Sequence, residues 1–185
     1  MTREPRNASD ARTTVIVLVG PKGAGKSTIG RRLQADLGAL FVDVEAISKR
    51  VLAEVGGIID EAYARRVFAS TVAELERLSE AHPVLVIETT GASEATGDFL
   101  TELKTHFRPV FVRVRASQPT CLRRIQSRDQ AAHVAVSPAM VAEMHRRSDA
   151  LQLDVALEIE NEDGADLDEI VLTDLLTELR LPLKA

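Results

Sequence analysis

The sequence predicts an α/β protein in which a parallel sheet of five strands lies between two layers of helices. Short apolar runs alternate with amphipathic helical stretches along most of the 185 residues, and this alternation is typical of parallel strands joined by right-handed crossovers. The run at residues 84–87 is continuously apolar, as expected for a strand that is buried on both faces. A glycine-rich segment directly after the first run predicts where the functional site lies.

The glycine-rich segment at residues 20–27 reads Gly-Pro-Lys-Gly-Ala-Gly-Lys-Ser and matches the pattern G-x-x-x-x-G-K-[ST]. It follows the apolar residues 15–19 and precedes a helical stretch over residues 28–37, which is the order that a phosphate-binding loop requires. Glycines let backbone N–H groups approach a phosphate closely. The following helix adds its free N–H groups and the positive end of its dipole.

We therefore expect a nucleotide-phosphate site, with Lys26 reaching the β- and γ-phosphates and the Ser27 hydroxyl binding Mg²⁺. The predicted fold is accordingly a P-loop NTPase, a three-layer α/β/α sandwich with a central five-stranded parallel sheet and a lid segment. The residues expected to bind the nucleotide in this segment are Gly20, Pro21, Lys22, Gly23, Ala24, Gly25, Lys26, Ser27 and Thr28.

Composition excludes several classes of protein. The chain is 45% hydrophobic but only 3% aromatic, so its core is expected to be aliphatic, and its net charge of −5 argues against a protein that coats nucleic acid. The single cysteine, Cys121, excludes a disulfide framework and is expected to pack as a small buried hydrophobe. No stretch approaches the roughly 20 apolar residues of a membrane span, and the N-terminus lacks a signal-peptide core. We expect a cytoplasmic protein that is a monomer or a weak homodimer.

The chain is expected to form a disordered tail at residues 1–13 and a single domain at residues 14–185. Gly38 is expected to end the first helix, and Asp60, Ser117 and Ser137 to cap later ones. The elements predicted beyond the phosphate loop are a strand at 40–42, helices at 47–55 and 61–81, a strand at 84–87, a helix at 93–105, a strand at 110–114, helices at 118–128 and 138–151, a strand at 155–159 and a closing helix at 167–179.

Chemically useful groups lie near the carboxyl ends of several predicted strands, where ligands bind in such sheets. Besides the phosphate loop, these are Asp43 and Glu45 after the second strand, Glu88, Thr89 and Thr90 after the third, and Arg113 and Arg115 along the fourth. Acids at such positions also serve as helix caps or first-turn residues that favour the helix dipole, and Glu88 can equally be a simple strand-end charge. The convergence of these groups at one edge favours an enzyme.

Several classes of phosphate-loop protein can be tested against the sequence. The chain contains neither the Asn-Lys-x-Asp segment with which GTPases read guanine nor the Ser-Gly-Gly-Gln type of signature of transporter ATPases. Motors and ring ATPases are usually longer chains. The class that remains is a compact kinase that moves a γ-phosphoryl group onto a small acceptor.

From about residue 15 to residue 159 the chain resembles the shikimate kinase family and the wider group of small-molecule and nucleotide kinases. These kinases carry Phe-x-Asp-x-Asp after the first helix, and this chain has Phe41-Val42-Asp43-Val44-Glu45. The resemblance implies that Asp43 helps to hold hydrated Mg²⁺ and that Glu45 contacts the acceptor hydroxyl. It also implies ATP as the phosphoryl donor and Mg²⁺ as the metal.

The resemblance further implies arginines that bind the carboxylate of the acceptor. One of them falls on Arg65, although the residue before it is Ala64 rather than an aromatic residue. A second, near the last strand, falls on either Arg146 or Arg147.

The family's triple glycine after the third strand falls on Thr89, Thr90 and Gly91, so two of the three glycines are replaced. In the family these glycines let the acceptor lie close to the backbone. Two threonines add side chains and hydroxyls there, so the residues leave both shikimate and a different acceptor open.

A lid is expected over residues 127–137, where no helical period is clear after about residue 130. Arg124 and Arg128 are four residues apart, so one helix face carries both. They are expected to clamp the ATP phosphates when the lid closes and excludes water; the alternative is a solvated basic face. His133 is expected to be exposed within the lid.

The next helix contributes Met140 and Met144, which are expected to fill the core rather than a site. The sequence as a whole indicates a kinase of small hydroxyl compounds, and three alternatives stay open. One is a nucleoside or nucleotide kinase on the same scaffold. Another is a nucleotide-sensing protein without turnover, and the third is a polynucleotide 5′-kinase, against which the acidic net charge weighs.

Overall fold

The computed structural model of the protein describes residues 12–127 and 133–163. Five strands alternate with six helices within these residues. In chain order they are β1 (Thr14–Val19), α1 (Lys26–Leu37), β2 (Leu40–Phe41), α2 (Val44–Glu54), α3 (Glu61–Ser79), β3 (Val84–Thr89), α4 (Thr96–His106), β4 (Arg108–Arg115), α5 (Gln118–Ser127), α6 (Pro138–Ala150) and β5 (Leu157–Glu160).

The five strands form one sheet in the order β2-β3-β1-β4-β5, and every neighbouring pair is parallel. The central strand β1 lies between β3 and β4, so that Val17 faces Ile87 on one side and Phe111 on the other. All strands therefore end at the same edge of the sheet. This arrangement confirms the predicted P-loop NTPase fold with a five-stranded parallel sheet.

The core consists of two clusters, and β1 contributes alternate side chains to each. Val15, Val17 and Val19 belong to one cluster, and Ile16 and Leu18 belong to the other. All five side chains are fully buried, as a strand with helices on both faces requires. Cys121 is also buried within the second cluster, which confirms its predicted role as a small buried hydrophobe.

The predicted helix caps are confirmed. The carboxylate of Asp60 accepts a hydrogen bond from the N–H of Tyr63 at 2.8 Å, and the Ser137 hydroxyl accepts one from Met140 at 3.2 Å. Gly38 ends α1 in the left-handed region, with φ of 66°, where glycine carries no steric cost.

Two element boundaries differ from the prediction in a way that matters for the site. Helix α1 begins at Lys26, two residues earlier than predicted, because the last residues of the glycine segment form the first helical turn. Strand β3 continues through Thr89, since pairing with β1 extends to that residue. Glu88 is therefore a strand residue and not part of the loop that follows.

Arg113 and Arg115 were predicted to lie near the site, and the structure gives both of them partners within the protein. The buried guanidinium of Arg113 donates to the carbonyl oxygens of Ser148 at 3.1 Å and Leu151 at 2.7 Å, where it fixes the end of α6. Arg115 forms an ion pair with Glu158 of β5 at 2.7 Å. Both arginines stabilise the sheet edge through these contacts.

Arg12 and Thr13 were predicted to belong to a disordered tail, but both make contacts within the domain. Arg12 donates to the carbonyl oxygen of Lys104 at 3.2 Å, and the carbonyl oxygen of Thr13 accepts from the N–H of Arg108 at 3.0 Å. The rest of that tail, the middle of the predicted lid and the predicted closing helix lie outside the described residues. In the part that is described, no helix has both the length and the apolar character needed to cross a bilayer.

Candidate active site

The carboxyl ends of the strands open into a cavity of about 1040 Å³. The phosphate loop, the acids Glu45 and Glu88, and side chains of α2, α3 and α6 contribute to its lining. This volume is of the size that holds small-molecule ligands in proteins. The cavity therefore brings the predicted phosphate site and several of the predicted acceptor residues, among them Glu45 and Arg147, into one space.

The backbone of the phosphate loop requires glycine at two positions. Gly23 and Gly25 have φ values of 90° and 92°, in the left-handed region that side chains disfavour. A Cβ atom on Gly25 would lie 2.1 Å from Nδ2 of Asn161, and one on Gly23 would lie 2.7 Å from the carbonyl oxygen of Cys121. The loop thus keeps a backbone cradle of the kind that binds phosphate.

Lys26 lies inside this loop, with only 6% of its surface exposed. Its ammonium donates to the carbonyl oxygens of Gly20 at 2.8 Å and Pro21 at 2.9 Å. Burial lowers the pKa of Lys26 below its usual range, although the nearby carboxylate of Glu88 opposes the shift. The positive charge is held where a phosphate on the loop would meet it.

Ser27 and Glu88 form the centre of the site. The Ser27 hydroxyl lies 2.9 Å from both carboxylate oxygens of Glu88, which is carried by the strand next to β1. A serine hydroxyl and a carboxylate are oxygen ligands of the kind that Mg²⁺ prefers. These two residues therefore fit the metal that the phosphate loop implies, and of the two interpretations of Glu88 this contact favours the functional one.

Asp43 occupies a different position. It is exposed and caps α2, and its carboxylate accepts a hydrogen bond from the N–H of Ala46 at 3.0 Å. This is the alternative that the sequence left open for an acid after a strand. A role for Asp43 in holding hydrated Mg²⁺ stays a prediction.

Glu45 points from the first turn of α2 toward the phosphate loop. Its carboxylate pairs with the ammonium of Lys22 at 3.1 Å and accepts a hydrogen bond from the N–H of Val134. Burial by itself would raise the pKa of Glu45, but Lys22, Val134 and His133 outweigh it, so the pKa is below its ordinary value. His133 was expected to be exposed; instead it is partly buried, with Nδ1 3.8 Å from Glu45.

Arg124 lines the cavity and connects it to the residues after β5. Its guanidinium donates to the carbonyl oxygen of Asn161 at 2.9 Å and to the carboxylate of Asp163 at 3.1 Å. Its predicted partner in the phosphate clamp, Arg128, lies outside the described residues. The clamp itself stays a prediction.

Sequence reasoning missed Asn161. Its buried amide donates to the carbonyl oxygen of Ala24 in the phosphate loop at 2.7 Å. Asn161 directly follows β5, so the rule that ligand-site residues follow the carboxyl ends of strands could have identified it. The first four strands were considered in this way and the fifth was not.

The threonines that replace glycines after β3 line the cavity. Their hydroxyls accept hydrogen bonds from the backbone of their own turn, Thr89 from Gly91 at 3.2 Å and Thr90 from Ala92 at 3.4 Å. Gly91 is buried behind them, where a Cβ atom would lie 2.7 Å from the side chain of Leu151. Thr89 and Thr90 thus line the cavity, whereas Gly91 lets the turn pack closely against Leu151.

The two predicted acceptor arginines differ in position. Arg65 is exposed on α3 and pairs with Asp98 at 3.1 Å, whereas Ala64 of the same helix lines the cavity. Arg147 of α6 lines the cavity, pairs with Glu143 at 2.5 Å and donates to the carbonyl oxygen of Ala92 at 3.1 Å. Of the two alternatives left open, Arg146 and Arg147, the structure therefore brings Arg147 to the site.

Other lining residues were not predicted. Met140 and Met144 line the cavity rather than fill the core, so that prediction is wrong; a helix period alone does not distinguish core from cavity. Glu61 was also missed. It accepts hydrogen bonds from the Ser93 hydroxyl at 2.7 Å and the Glu94 N–H at 3.2 Å, and so joins the start of α3 to the turn after β3.

Comparisons with known proteins identify the family and the fold of the chain. The family model described as an AAA domain matches residues 15–151. A shikimate kinase of Histophilus somni is 54% identical over 46 residues, or 24% of this chain and 26% of that protein. The chain thus spans only about a quarter of the length of this curated relative.

Solved structures share the fold over nearly the whole chain. A shikimate kinase from Acinetobacter baumannii in complex with shikimate has a TM-score of 0.58 at 22% identity, covering 95% of this chain and 98% of that one. A sugar kinase from Janibacter sp. has a TM-score of 0.67 at 17% identity, covering 91% and 95%. At these identities the likeness establishes the architecture alone.

Proposed function

This chain belongs to the AAA domain family, and from that membership and the contents of its cavity we propose that it is an ATP-dependent small-molecule kinase. It transfers the γ-phosphoryl group of Mg-ATP to a hydroxyl of a small acceptor. Residues 14–185 act as one kinase domain, with a lid at about residues 127–137. The likeness to shikimate and sugar kinases supports this proposal at the level of fold.

One observation carries the proposal. The Ser27–Glu88 contact of 2.9 Å and the Lys22–Glu45 pair of 3.1 Å border the same cavity. A protein that only hydrolyses ATP needs the first pair and a water molecule. A kinase also needs room for an acceptor beside the phosphates, and the cavity of about 1040 Å³ supplies it.

The transfer forms a bond between the acceptor oxygen and the γ-phosphorus and breaks the bond from that phosphorus to the bridging oxygen. ADP leaves with the electron pair of the broken bond, and the hydroxyl proton passes to Glu45 or to solvent. Such a reaction depends on positioning and charge neutralisation more than on covalent catalysis. The backbone N–H groups of residues 20–27 hold the phosphates and Lys26 stabilises the charge on the transferred group.

Ser27 and Glu88 are the residues that would hold Mg²⁺, with Asp43 as a further candidate through water. When bound, the ion neutralises charge on the phosphates. Glu45 accepts a hydrogen bond from the acceptor hydroxyl. Since its pKa is lowered, Glu45 is a weak base, and its main effect is to orient that hydroxyl.

The proposal is tested by measuring ADP release from Mg-ATP with shikimate, sugars, hydroxy acids and nucleosides as acceptors. We expect at least one acceptor to stimulate release, and Lys26→Ala to lower the stimulated rate by roughly 100-fold or more because a charge on the transition state loses its partner. The matched control is Lys49→Ala, which removes an exposed lysine of α2. Full activity of the Lys26→Ala variant would contradict the assignment of the loop.

The alternatives have distinct results in the same assay. Stimulation by nucleosides alone would identify a nucleoside kinase on this scaffold. Tight ATP binding without ADP release across the panel would favour a nucleotide-sensing protein and refute the kinase proposal.

A further inference from the structure

Much of the lining of the cavity that contains the phosphate loop is apolar. We call this the apolar wall: its members come from α2, α3, α6 and the segment before α3, and they are Val44, Ile59, Tyr63, Ala64, Val67, Phe68, Met140 and Met144. Phe68 is held in place by stacking on Phe99, with ring centroids 4.4 Å apart. A small polyol leaves such a wall in contact with water, whereas a ligand with an apolar body covers it.

Exposed apolar side chains also occur in the segment before α3, to which Ile59 of the apolar wall belongs. Ile58 and Ile59 follow the paired glycines 56–57, and 62% and 45% of their surfaces are exposed. Both glycines have positive φ, and open space surrounds the position of a Cβ atom on each. Large exposed aliphatic side chains that adjoin a cavity mark a surface that a ligand covers.

Every basic residue among the described lining residues already has a partner. The pairs are Lys22 and His133 with Glu45, Lys26 with loop carbonyls, Arg31 over the ring of Phe41, Arg124 with Asn161, and Arg147 with Glu143. Lys26 and Arg124 belong to the nucleotide side. On the acceptor side, Arg147 is the residue that could bind a carboxylate, and its guanidinium is occupied by Glu143 and by the carbonyl oxygen of Ala92.

Negative charge surrounds that arginine. The carboxylates of Glu143, Glu94 and Glu61 all raise the pKa of Arg147, and all three residues line the cavity. A second arginine that could balance them, Arg65, pairs with Asp98 outside the lining. An acceptor carboxylate would therefore meet three like charges and compete with Glu143 for one guanidinium.

We propose that the acceptor is a hydroxyl compound with an apolar or aromatic body and without a carboxylate. This inference rests on the proposed kinase function and adds the chemical class of its substrate. The body of the acceptor packs on the apolar wall, and its hydroxyl reaches Glu45. The transfer is the one described above: the acceptor oxygen takes the γ-phosphoryl group, ADP leaves, and the hydroxyl proton passes to Glu45 or to solvent.

Two matched pairs of probes test the two parts of this inference. Shikimate and its methyl ester differ only in the carboxylate, and glucose and phenyl β-glucoside differ in the aromatic body. Calorimetry in the presence of a non-hydrolysable ATP analogue measures binding without requiring turnover. We expect methyl shikimate to bind at least about tenfold more tightly than shikimate, because the carboxylate of shikimate meets the acidic residues around Arg147. We expect phenyl glucoside to bind at least about tenfold more tightly than glucose, because glucose leaves the apolar wall uncovered.

Two variants on helix α3 test the contribution of the apolar wall to binding. Val67 and Val72 are 6% and 4% exposed on α3, but only Val67 lines the cavity. Val67→Thr adds a hydroxyl of nearly the same volume and should weaken phenyl glucoside binding by about tenfold. Val72→Thr is the matched control and should leave that binding unchanged, even though both variants lower stability.

A third variant tests whether the acidic residue Glu143 disfavours the binding of a carboxylate. Glu143→Gln keeps the size of the side chain and removes the charge that occupies Arg147. We expect it to improve shikimate binding severalfold while methyl shikimate binding stays level. Equal improvement for both probes, or none for either, would refute the role assigned to Glu143.

The outcomes separate this inference from the kinase proposal. If methyl shikimate binds more tightly than shikimate and phenyl glucoside more tightly than glucose, but no probe stimulates ADP release, the chemical class of the ligand stands and the kinase proposal is wrong. If shikimate binds as tightly as its ester, or if neither probe of either pair binds, the proposed acceptor class is wrong.

Discussion

The ammonium of Lys22 lies 3.1 Å from one carboxylate oxygen of Glu45 and 3.3 Å from the other. Lys22 belongs to the phosphate loop, whereas Glu45 belongs to the first turn of α2. The pair therefore joins the residue expected to orient the acceptor to the loop expected to hold the nucleotide. Phosphates on the loop would compete with Glu45 for the same ammonium, so the two ligands are expected to influence each other's binding.

The first prediction concerns the pKa of Glu45. Burial alone would raise it, and Lys22 is the strongest of the groups that lower it. Lys22→Met should therefore raise the pKa of Glu45, so that its carboxylate protonates at higher pH than in the wild-type protein. Carbon-13 NMR titration of the carboxyl groups measures this directly, with Glu45→Gln to assign the signal. The same titration midpoint in both proteins would show that the ion pair is broken in solution.

The second prediction concerns Glu88. Glu88→Gln keeps the side chain's size but removes the charge beside Ser27, and it should lower kcat by roughly 10- to 100-fold, the usual effect of disturbing residues that hold or orient a metal. Raising the Mg²⁺ concentration should restore part of the rate, and the thermal midpoint should change little. Glu80→Gln, an exposed residue after α3, is the control. A Mg²⁺ dependence identical to that of the wild type would count against a metal role.

The third prediction concerns Asn161. Asn161→Leu leaves the buried carbonyl oxygen of Ala24 without its donor, which should lower the free energy of unfolding by about 1–3 kcal/mol. Nucleotide affinity should fall as well, because Ala24 lies within the phosphate loop. Urea unfolding and ATP titration measure the two effects. Glu160→Gln, at the neighbouring exposed residue, is the control. An unchanged ATP affinity in Asn161→Leu would mean that the loop keeps its shape without the hydrogen bond from Asn161.

The fourth prediction concerns acid stability. The Ser93 hydroxyl and the N–H groups of Glu94 and Ala95 lower the pKa of Glu61 in the folded protein. A lowered pKa contributes stability above the unfolded value near pH 4.3, and this contribution is lost as the pH falls through the folded pKa. Glu61→Gln should thus be less stable than the wild type at pH 7. Because Glu61 is partly exposed, we expect the difference to be about 1 kcal/mol.

That difference should shrink as the pH falls through the lowered pKa of Glu61, because the carboxylate then takes up a proton and both side chains are uncharged. Denaturant unfolding of both proteins at several pH values measures it. A difference that stays constant with pH would assign the effect of Glu61 to packing instead of charge. Glu76→Gln, on the exposed face of the same helix, is the control.

The fold could be predicted because its signals are local. The continuous apolar run of β3, the glycine segment and the caps Asp60 and Ser137 each determine structure within a few residues. Boundaries shifted where pairing or loop geometry extended an element, as at Lys26 and Thr89.

The site could be predicted only in part because side-chain direction is not local. A step of one residue along a helix turns the side chain by about 100°, so Arg65 lies outside the lining while Ala64 lies within it. The positions of Met140 and Met144 could not be predicted for a related reason, since an apolar helix face can border either a core or a cavity. Asn161 contacts a residue that is 137 positions away, and no spacing rule between the two segments signals that contact.

The order of the strands has a consequence for protein synthesis. Strand β1 pairs with β3 and β4, and the phosphate loop contacts Val114, Cys121 and Asn161. All of these partners leave the ribosome long after residue 27, the last residue of the loop. A nascent chain therefore exposes its nucleotide-binding segment early but can assemble it only when residue 161 has emerged. ATP binding by ribosome-bound chains of increasing length would thus report the completion of the sheet.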